Sequence, residues 1–512
     1  MKITSFGPKL KRSPLSLLKK LAGETAIYGT SSILSRLLHF VILTPFLTYY
    51  FTKQEYGVVT DLYAWAALLL VIFTYRMETA FFRFGSKESD MERSFSTAAI
   101  SLLASTAVLT LLFLVFAPEI ARWLHYPDRP EYVRWFALII AFDALAAIPF
   151  ARLRLENRPI RFAVIKTLNI LVNIFFIFFF LKICPWLLEQ GYGWAGWLYN
   201  PEREIGYVFL SNLLASGSVL LFLAPLLLKA QWTFEPGLWK RMLRYAAPLI
   251  VVGIAGIVNQ FVGIPLLKEL ASDDMDYNIA QVGLYGAAAK LAVLMNLFTQ
   301  AFNYAAEPFF FRNAAREDKS TLYAQVGQGF ALVGCLAFVG IMLYMDILQY
   351  YLGADLRGGL AVVPFLLMAY LFLGLYYNFS IWYKLADRTI IGGYIATAGS
   401  VITIGLNVWL IPRYGYLAPG LAALACYSFM ATASYLTGQR YYPIHYPVGR
   451  MALYMLGAIA TYALSLLLQK SYTPGLATGL VLNTVLLLGY LSFLALLERQ
   501  GLKRALKQLR KR

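Results

Sequence analysis

Charged residues are scarce in this sequence. Asp, Glu, Lys and Arg make up 14% of its 512 residues, and hydrophobic residues make up 59%. An ordinary soluble domain has about 25% charged residues. A globular core cannot absorb so much apolar surface, so part of the solvent must be lipid. The composition therefore predicts a membrane protein and excludes a typical soluble enzyme.

Cysteine and histidine are also rare, with three residues of each type. Cys184, Cys335 and Cys426 lie far apart in or beside apolar runs, so they predict neither a disulfide framework nor a metal site. The sequence has no Gly-rich ATP-binding motif. Its one dense acidic cluster, at 273–276, lacks the supporting ligands of a cation site. We expect no enzyme activity, no cofactor and no metal.

Acidic residues are much fewer than basic ones, 27 against 45, which gives a net charge of +18. In a soluble protein this excess would suggest nucleic acid as a partner. In a membrane protein, Lys and Arg collect on cytoplasmic loops and contact anionic lipid headgroups. We therefore expect membrane lipids, and no nucleic acid, as partners.

Long apolar runs are what the sequence has in abundance. A membrane-spanning helix needs about 20 mostly apolar residues, and fourteen runs qualify. They cover residues 24–50, 57–77, 94–117, 132–151, 159–182, 205–228, 242–267, 279–306, 320–345, 359–383, 389–411, 416–437, 450–468 and 475–497. With both termini cytoplasmic, the inside segments hold 32 of the 45 basic residues and the outside loops hold about 10, as the positive-inside rule requires. The sequence predicts an all-α, multi-pass fold.

An internal repeat divides the chain. Residues 78–88 read EtaFFRfgsKE and residues 307–317 read EpfFFRnaaRE, 229 positions later, while LENR at 155–158 is answered by LADR at 385–388. The first pair follows spans 2 and 8, and the second pair follows spans 4 and 10. Spans 1–6 and 7–12 are therefore predicted to be parallel repeats, with spans 13 and 14 appended.

The repeat sets the predicted domain organisation. A basic cytoplasmic segment at 1–23 precedes an N-lobe of spans 1–6 at 24–228, and a C-lobe of spans 7–12 follows at 229–440. Residues 441–512 hold spans 13 and 14 and a basic cytoplasmic tail. Many transporters are built from two related lobes around a central site, so the organisation predicts a transporter.

Three basic residues lie inside spans, namely Arg36, Lys166 and Lys290. An ionised side chain near the bilayer centre costs about 2.5–3.5 kcal/mol, so such residues normally face a cavity or a partner. Asp61 and Asp143 are candidate counter-ions or coupling residues. Polar residues on the same helix faces predict a water-filled cavity, although they could equally join helices by hydrogen bonds: His39, Asn169, Asn173, Asn296, Gln300 and Asn303. A cationic cavity should attract an anion such as phosphate or pyrophosphate.

The repeated motif carries its own charged residues, Glu78 and Arg83 in the first copy and Glu307 and Arg312 in the second. One interpretation is structural, because Phe at the headgroup level with Arg beside it anchors a helix end. The other is that the two copies meet between the lobes and form a cytoplasmic gate by exchanging ion pairs.

Short sequence stretches support a family resemblance. GETAIYG at 23–29, FL at 46–47, EYG at 55–57 and LENR at 155–158, with two six-span repeats and a cationic interior, resemble the polysaccharide-flippase branch of the MOP (multidrug/oligosaccharidyl-lipid/polysaccharide) exporter superfamily. The resemblance covers nearly the whole chain. It implies a bacterial inner-membrane protein that flips undecaprenyl-pyrophosphate-linked oligosaccharide to the outer leaflet by alternating access.

The same resemblance implies a role in lipopolysaccharide O-antigen, capsule or exopolysaccharide biosynthesis. Arg36, Lys166 and Lys290 would be the cations of the substrate cavity, and spans 13 and 14 would guide the lipid tail. The lipid-linked oligosaccharide is the expected substrate. A polysaccharide polymerase and chain-length proteins are candidate partners.

Other functions stay open at this point. A flippase for the peptidoglycan lipid precursor has the same requirements. A MATE-like, cation-coupled drug exporter would need buried acids to hold organic cations, whereas this interior is net basic. A membrane glycan polymerase or ligase would need an outer loop with positioned acid–base or metal-binding residues, and the loops here are short. The energy source, either the membrane potential alone or Na⁺ or H⁺ antiport, is also open.

The cavity cations generate a first testable prediction. Lys166→Ala or Arg36→Ala should abolish glycan export, because a desolvated phosphate group would lose its compensating charge. Surface polysaccharide on complemented cells measures export, and immunoblotting of membrane fractions shows that each variant is still present. Full export by either variant at normal membrane levels would contradict an anion site at the replaced residue.

Overall fold

The computed structural model of the chain describes residues 37–86, 91–228, 230–314, 316–386, 388–472 and 475–499. All regular elements in these ranges are helices, and twelve helical stretches are long and apolar enough to cross a membrane. One of the twelve, Thr389–Tyr441, has 53 residues and consists of two consecutive helices. Residues 37–50 are helical and belong to the first predicted span. The predicted all-α fold of about fourteen spans is confirmed.

The first six spans are formed by α1 to α7. Their bounds are α1 Thr44–Tyr50, preceded by a π-helical turn at His39–Leu43, α2 Lys53–Thr74, α3 Met77–Phe84, α4 Met91–Val115, α5 Pro130–Leu155, α6 Pro159–Phe178 and α7 Glu204–Leu228. Helix α3 is a short continuation of span 2. A second π-helical turn, Phe179–Ile183, extends α6 into the short helix Cys184–Glu189.

The second six spans are formed by α8 to α14, and two further spans follow. Their bounds are α8 Pro236–Phe261, α9 Gly263–Leu270, α10 Met275–Arg312, α11 Lys319–Leu343, α12 Val363–Phe379, α13 Thr389–Tyr414, α14 Ala418–Tyr441, α15 Val448–Tyr472 and α16 Leu476–Leu497. We call these two sets of six spans the N-lobe and the C-lobe. The predicted boundaries of the lobes stay predictions, and the segment 1–23 lies outside the described residues.

The two ends of the helix bundle differ in charge. We call the end that carries the loops at 76–93, 152–161 and 229–244 the basic end, and the end that carries the loops at 51–56, 118–131 and 268–276 the acidic end. The positive-inside rule predicts that the basic end is cytoplasmic.

Local sequence explains where several helices begin. At the start of α2, Thr52 and Glu55 form a capping box in which the Glu55 carboxylate accepts a hydrogen bond from the Thr52 amide at 2.9 Å. At the start of α10, Asp274 Oδ1 accepts hydrogen bonds from the amides of Asp276 and Tyr277 at 3.0 and 3.3 Å. The acidic cluster at 273–276 thus provides a helix cap. The described residues include no group of three side chains arranged to hold a metal.

The two adjacent Phe residues of the repeated motif have the same pattern of exposure in both copies. Phe81 and Phe310 are buried, with 0% and 2% of their surface exposed, while Phe82 and Phe311 are 43% and 47% exposed. One Phe of each copy is therefore buried, and the next one is exposed.

The second repeated stretch, LENR at 155–158 and LADR at 385–388, also has the same geometry in both copies. The Arg158 amide donates to the Leu153 carbonyl at 2.9 Å, and the Arg388 amide donates to the Tyr383 carbonyl at 2.7 Å. Each bond joins residues five positions apart and lies at the end of a helix. The next helix, α6 or α13, begins on the following residue.

The copies differ in how they join the preceding span. Tyr75 and Arg76 have positive φ angles of 35° and 58°, which separates α2 from α3. Helix α10, in contrast, continues into the second copy without a break and ends at Arg312. Two consecutive non-Gly residues in this region are strained and need support from their surroundings. Part of that support comes from Gly253 in α8, where an added Cβ would lie 2.5 Å from the Arg76 Nε.

The main contact between the lobes is the crossing of α2 and α10 at the acidic end. A Cβ added at Gly57 would lie 2.1 Å from the Ile279 carbonyl oxygen, and one added at Gly283 would lie 1.9 Å from the Lys53 carbonyl oxygen. The two backbones therefore touch, which only glycine permits at these positions.

The two C-terminal spans are attached to the C-lobe through α11. The Asn483 side chain donates to the Leu343 carbonyl at 2.7 Å and accepts a hydrogen bond from Ser465 at 2.7 Å. These buried polar contacts join α11, α15 and α16, so spans 13 and 14 pack beside the C-lobe rather than between the lobes.

The glycine contact predicts a specific stability change. Gly283→Ala should force α2 and α10 apart and destabilise the protein by about 1–3 kcal/mol, as overpacking does. Thermal unfolding of the purified protein in detergent would show a lower Tm. Gly340→Ala in α11, where an added Cβ has no neighbour within 4 Å, is the matched control. Equal Tm values for the two variants would contradict the contact.

Candidate functional site

The N-lobe brings together two of the predicted site residues, Lys166 on α6 and Asp143 on α5. The Lys166 charge acts electrostatically on Asp143, and the Lys166 Nζ lies 4.3 Å from the centre of the Phe150 ring. Ser216 on α7 donates a hydrogen bond to Asp143 Oδ1 at 2.9 Å. The positive charge of Lys166 is therefore balanced locally by an acid.

A chain of polar side chains continues from Asp143 across the N-lobe. Ser216 also lies 3.4 Å from the Asn212 side-chain oxygen, and Asn212 donates to the Tyr63 hydroxyl of α2 at 2.7 Å. Asp143 has accessible surface although it lies in the middle of its span and is surrounded by protein atoms. An ionised carboxylate there is tolerated only in a wet interior, so its exposed surface indicates an aqueous space inside the N-lobe.

The C-lobe contributes Lys290, which is half-buried on α10. It makes no hydrogen bond and no ion pair with any residue that the structure describes. Among the described residues, the Lys290 charge acts electrostatically on His39 of the N-lobe. His39 begins the π-helical turn of span 1, and such turns are frequent at functional positions. The remaining predicted cation, Arg36, lies outside the described residues.

The other predicted polar residues follow the same helices. On α10, Gln300 donates to the Asn296 side-chain oxygen at 2.9 Å, and Asn303 is half-buried one turn further. Asn169 and Asn173 are half-buried on α6. Within the described residues the Asn173 side-chain oxygen is buried with no hydrogen-bond donor, which suits a position beside water or a ligand.

The acidic residues of the repeated motif pair with bases of their own lobes. Glu78 lies 3.8 Å from Arg76, and Glu307 lies 2.7 Å from Lys384. Arg83 is stacked 4.3 Å above the ring of Tyr245 in α8. Arg312 is exposed. The exchange of ion pairs between the two copies stays a prediction for a state in which the basic end is closed.

A buried ion pair joins the lobes at the acidic end. Lys268 on α9 lies 2.8 Å from Asp61 on α2, and each side chain is only 1% exposed. The Tyr126 hydroxyl donates to the same Asp61 oxygen at 2.9 Å, and Lys268 also donates to the Leu124 carbonyl. Burial and the Asp61 charge raise the pKa of Tyr126 well above its usual value, so Tyr126 remains a hydrogen-bond donor.

Sequence reasoning identified Asp61 but missed Lys268. Lys268 comes directly after the apolar run 242–267 and therefore counts as a loop residue in a hydropathy reading. In the structure, Asn278 holds the Lys268 carbonyl with a 2.8 Å hydrogen bond, so the residue lies in the packed interior. The nearby pair Lys268–Glu269 gives no sign of which residue faces inwards, and only the packing of the two lobes decides this.

Further contacts close the acidic end around this pair. The Lys53 amide donates to Asp355 at 2.7 Å, and Tyr49 donates to the Tyr350 carbonyl at 2.6 Å. The Tyr351 hydroxyl donates to the carbonyl of Phe40 in the π-helical turn of span 1. Each of these contacts joins the N-lobe to the C-lobe. The polar interior is therefore separated from the acidic end.

Solved structures share this architecture. The Lipid II flippase MurJ in an inward closed conformation gives a TM-score of 0.67 at 14% sequence identity, over 93% of this chain and 99% of that chain. A multidrug resistance MATE family transporter of the MOP superfamily gives 0.62 at 12% identity in its inward-facing conformation, over 85% and 98% of the two chains. An outward-facing structure of that class gives 0.55 at 14% identity, over 87% and 97%.

These similarities define the fold as that of the MOP superfamily of multi-pass membrane transporters. The family profile described as "Polysaccharide biosynthesis protein" matches residues 21–314, which is more than half of the chain. The chain therefore belongs to this family, the polysaccharide-flippase branch that the sequence resembles. No curated protein sequence matches it significantly.

The buried ion pair predicts how the acidic end responds to mutation. Removing one partner of such a pair costs about 3–5 kcal/mol because the other charge is left buried, so Asp61→Ala should open the acidic end. Spin labels at the exposed residues Gln54 and Ala354 would report a longer, broader distance by double electron–electron resonance. Glu119→Ala, which removes an exposed pair with Arg122, is the control. An unchanged distance in Asp61→Ala would show that the pair does not hold the lobes together.

Proposed function

We propose that this protein flips undecaprenyl-pyrophosphate-linked oligosaccharide units from the cytoplasmic to the outer leaflet of the bacterial inner membrane, for O-antigen, capsule or exopolysaccharide biosynthesis. The observation that carries the proposal is Lys290, a half-buried cation between the lobes with no acid partner among the described residues. The family assignment supports transport in polysaccharide biosynthesis, and Lys290 supports an anionic substrate group.

The balance of charges favours pyrophosphate binding at Lys290. Lys166 has Asp143 beside it, and Lys268 has Asp61, so these two cations are neutralised inside the protein. Among the described residues, His39 is the titratable group on which the Lys290 charge acts, and His39 supplies no negative charge. A pyrophosphate group would compensate the Lys290 charge and accept several hydrogen bonds. The glycan would then occupy the aqueous space, where Asn296, Gln300 and Asn303 offer amide groups to its hydroxyls.

The closed acidic end supports loading of substrate from the basic end. If the basic end is cytoplasmic, this state receives the lipid-linked unit on the side where it is made. Alternating access then requires the Asp61–Lys268 contact to break and the basic end to close, where Glu78, Arg83, Glu307 and Arg312 are our candidates for new ion pairs. A membrane potential that is negative inside favours outward movement of the anion by about 2.3 kcal/mol per charge per 100 mV.

The same charges argue against drug export. A cation exporter needs a buried acid to hold its substrate, but Asp61 is hydrogen-bonded to Lys268 and Tyr126, and Asp143 interacts with Lys166. A peptidoglycan lipid precursor also carries pyrophosphate, so the proposed site does not separate it from other polyprenyl-linked glycans. A transport assay has to compare the two.

Reconstituted vesicles test the proposal. With fluorescent undecaprenyl-pyrophosphate oligosaccharide, Lys290→Ala should lower the flipping rate at least tenfold, because the phosphates lose their uncompensated cation, and Lys290→Arg should keep most of it. Lys470→Ala, an exposed lysine at the acidic end of α15, is the matched control. Normal flipping by Lys290→Ala would exclude this anion site, and faster flipping of the peptidoglycan precursor by the unmodified protein would reassign the substrate.

A further inference from the structure

An apolar groove lies between α4 and α8 near the basic end. The two helices run in the same direction there: the Glu235 amide donates to Thr97 at 3.3 Å, and one turn further the Trp239 indole donates to Ser101 at 2.7 Å. Their contact is limited to this first stretch, because α8 then packs on α13. The helices diverge, and a cavity of about 530 Å³ lies where they separate.

The walls of the groove are almost entirely apolar. Ile100 and Ala104 of α4 form one side, and Leu243 of α8, with Phe234 before it, forms the other. The polar atoms at its base satisfy each other, since Ser101 is hydrogen-bonded to both the Tyr75 hydroxyl and the Trp239 indole. Ser105, the other serine of the lining, donates to the Leu102 carbonyl at 3.2 Å. Water needs two to four polar partners to occupy a buried space, and the polar side chains of these walls are already hydrogen-bonded to the protein.

The surroundings of the groove indicate a hydrocarbon occupant. On α4 the adjoining residues Leu103 and Val108 are 44% and 60% exposed, as expected for a helix surface that faces lipid. A volume of this size is within the range of ligand pockets. Because both walls belong to membrane-spanning helices, the molecules available to fill it are the chains of the surrounding lipids.

The mouth of the groove carries positive charge. Lys240, Arg241 and Arg244 are exposed on the first turns of α8, and none of them forms an ion pair with a residue in the described ranges. Arg93 lies beside them and is 3.6 Å from Glu235. Basic residues immediately at the membrane surface attract anionic headgroups. The positive charge at the mouth therefore favours a lipid with an anionic headgroup, and the apolar groove accommodates one of its acyl chains.

We propose that an anionic phospholipid of the leaflet at the basic end inserts one acyl chain between α4 and α8 and places its phosphate beside Lys240 and Arg244. The lipid is a resident ligand and differs from the transported substrate. It covers the seam where the N-lobe meets the first helix of the C-lobe. The proposal does not depend on which lipid-linked glycan the protein carries.

Native mass spectrometry of the full-length protein tests this proposal with phosphatidylglycerol as the probe. The unmodified protein should retain one phosphatidylglycerol molecule in preference to phosphatidylcholine. Ala104→Trp, which fills the groove, should lower that occupancy at least tenfold, and Ala104→Leu should lower it less. Leu111→Trp, at a position on the same helix that is already 62% exposed, is the matched control and should retain the lipid.

A double variant tests the contact with the lipid headgroup. Lys240→Gln combined with Arg244→Gln should remove the preference for phosphatidylglycerol without lowering phosphatidylcholine binding. Normal occupancy in folded Ala104→Leu and Ala104→Trp would overturn the groove assignment, and an undiminished preference in the double variant would overturn the headgroup assignment. Displacement of phosphatidylglycerol by undecaprenyl phosphate would overturn the resident lipid and assign the groove to the substrate tail. Flipping assays report on the transport function separately.

Discussion

The rest of the structure depends on the buried ion pair between Asp61 and Lys268. Two charges removed from water are stable only when they are closely paired and fully hydrogen-bonded, and here the partners come from different lobes. Tyr126 and the Leu124 carbonyl complete the coordination. The pair therefore makes closure of the acidic end specific, because only the closed arrangement brings these partners together in this coordination.

Backbone contact reinforces this electrostatic constraint. Gly57 and Gly283 let α2 and α10 touch beside the ion pair, so the distance between the lobes at this end is set by hard packing. At the basic end the first half of α8 packs on α3 and α4 through Tyr245 and Trp239. The same helix thus contacts the N-lobe at one end and the C-lobe at the other, which links movement of the two lobes.

The distribution of acids determines which cations are available for substrate. Lys166 and Lys290 look alike in the sequence, since each is a lone basic residue in an apolar run. In the structure the Lys166 charge acts on Asp143, while among the described titratable residues the Lys290 charge acts on His39, which is not an acid. The same three-dimensional arrangement removes Asp61 from the list of possible counter-ions for the cavity, because Lys268 occupies it.

The sequence by itself determined the membrane environment, the all-α architecture, the parallel repeat and the family, because apolar run length, loop charge and a repeated motif are local properties along the chain. It also identified Lys166, Lys290, Asp61 and Asp143, since an ionisable residue in an apolar run stands out. It could not assign their partners. Lys268 looks like a loop residue, and its burial follows from how α9 packs against α2. Only the tertiary structure decided which charges neutralise each other. Asp61 and Lys268 are 207 positions apart and come from different lobes, and Asp143 and Lys166 come from different helices, so no local pattern records either contact.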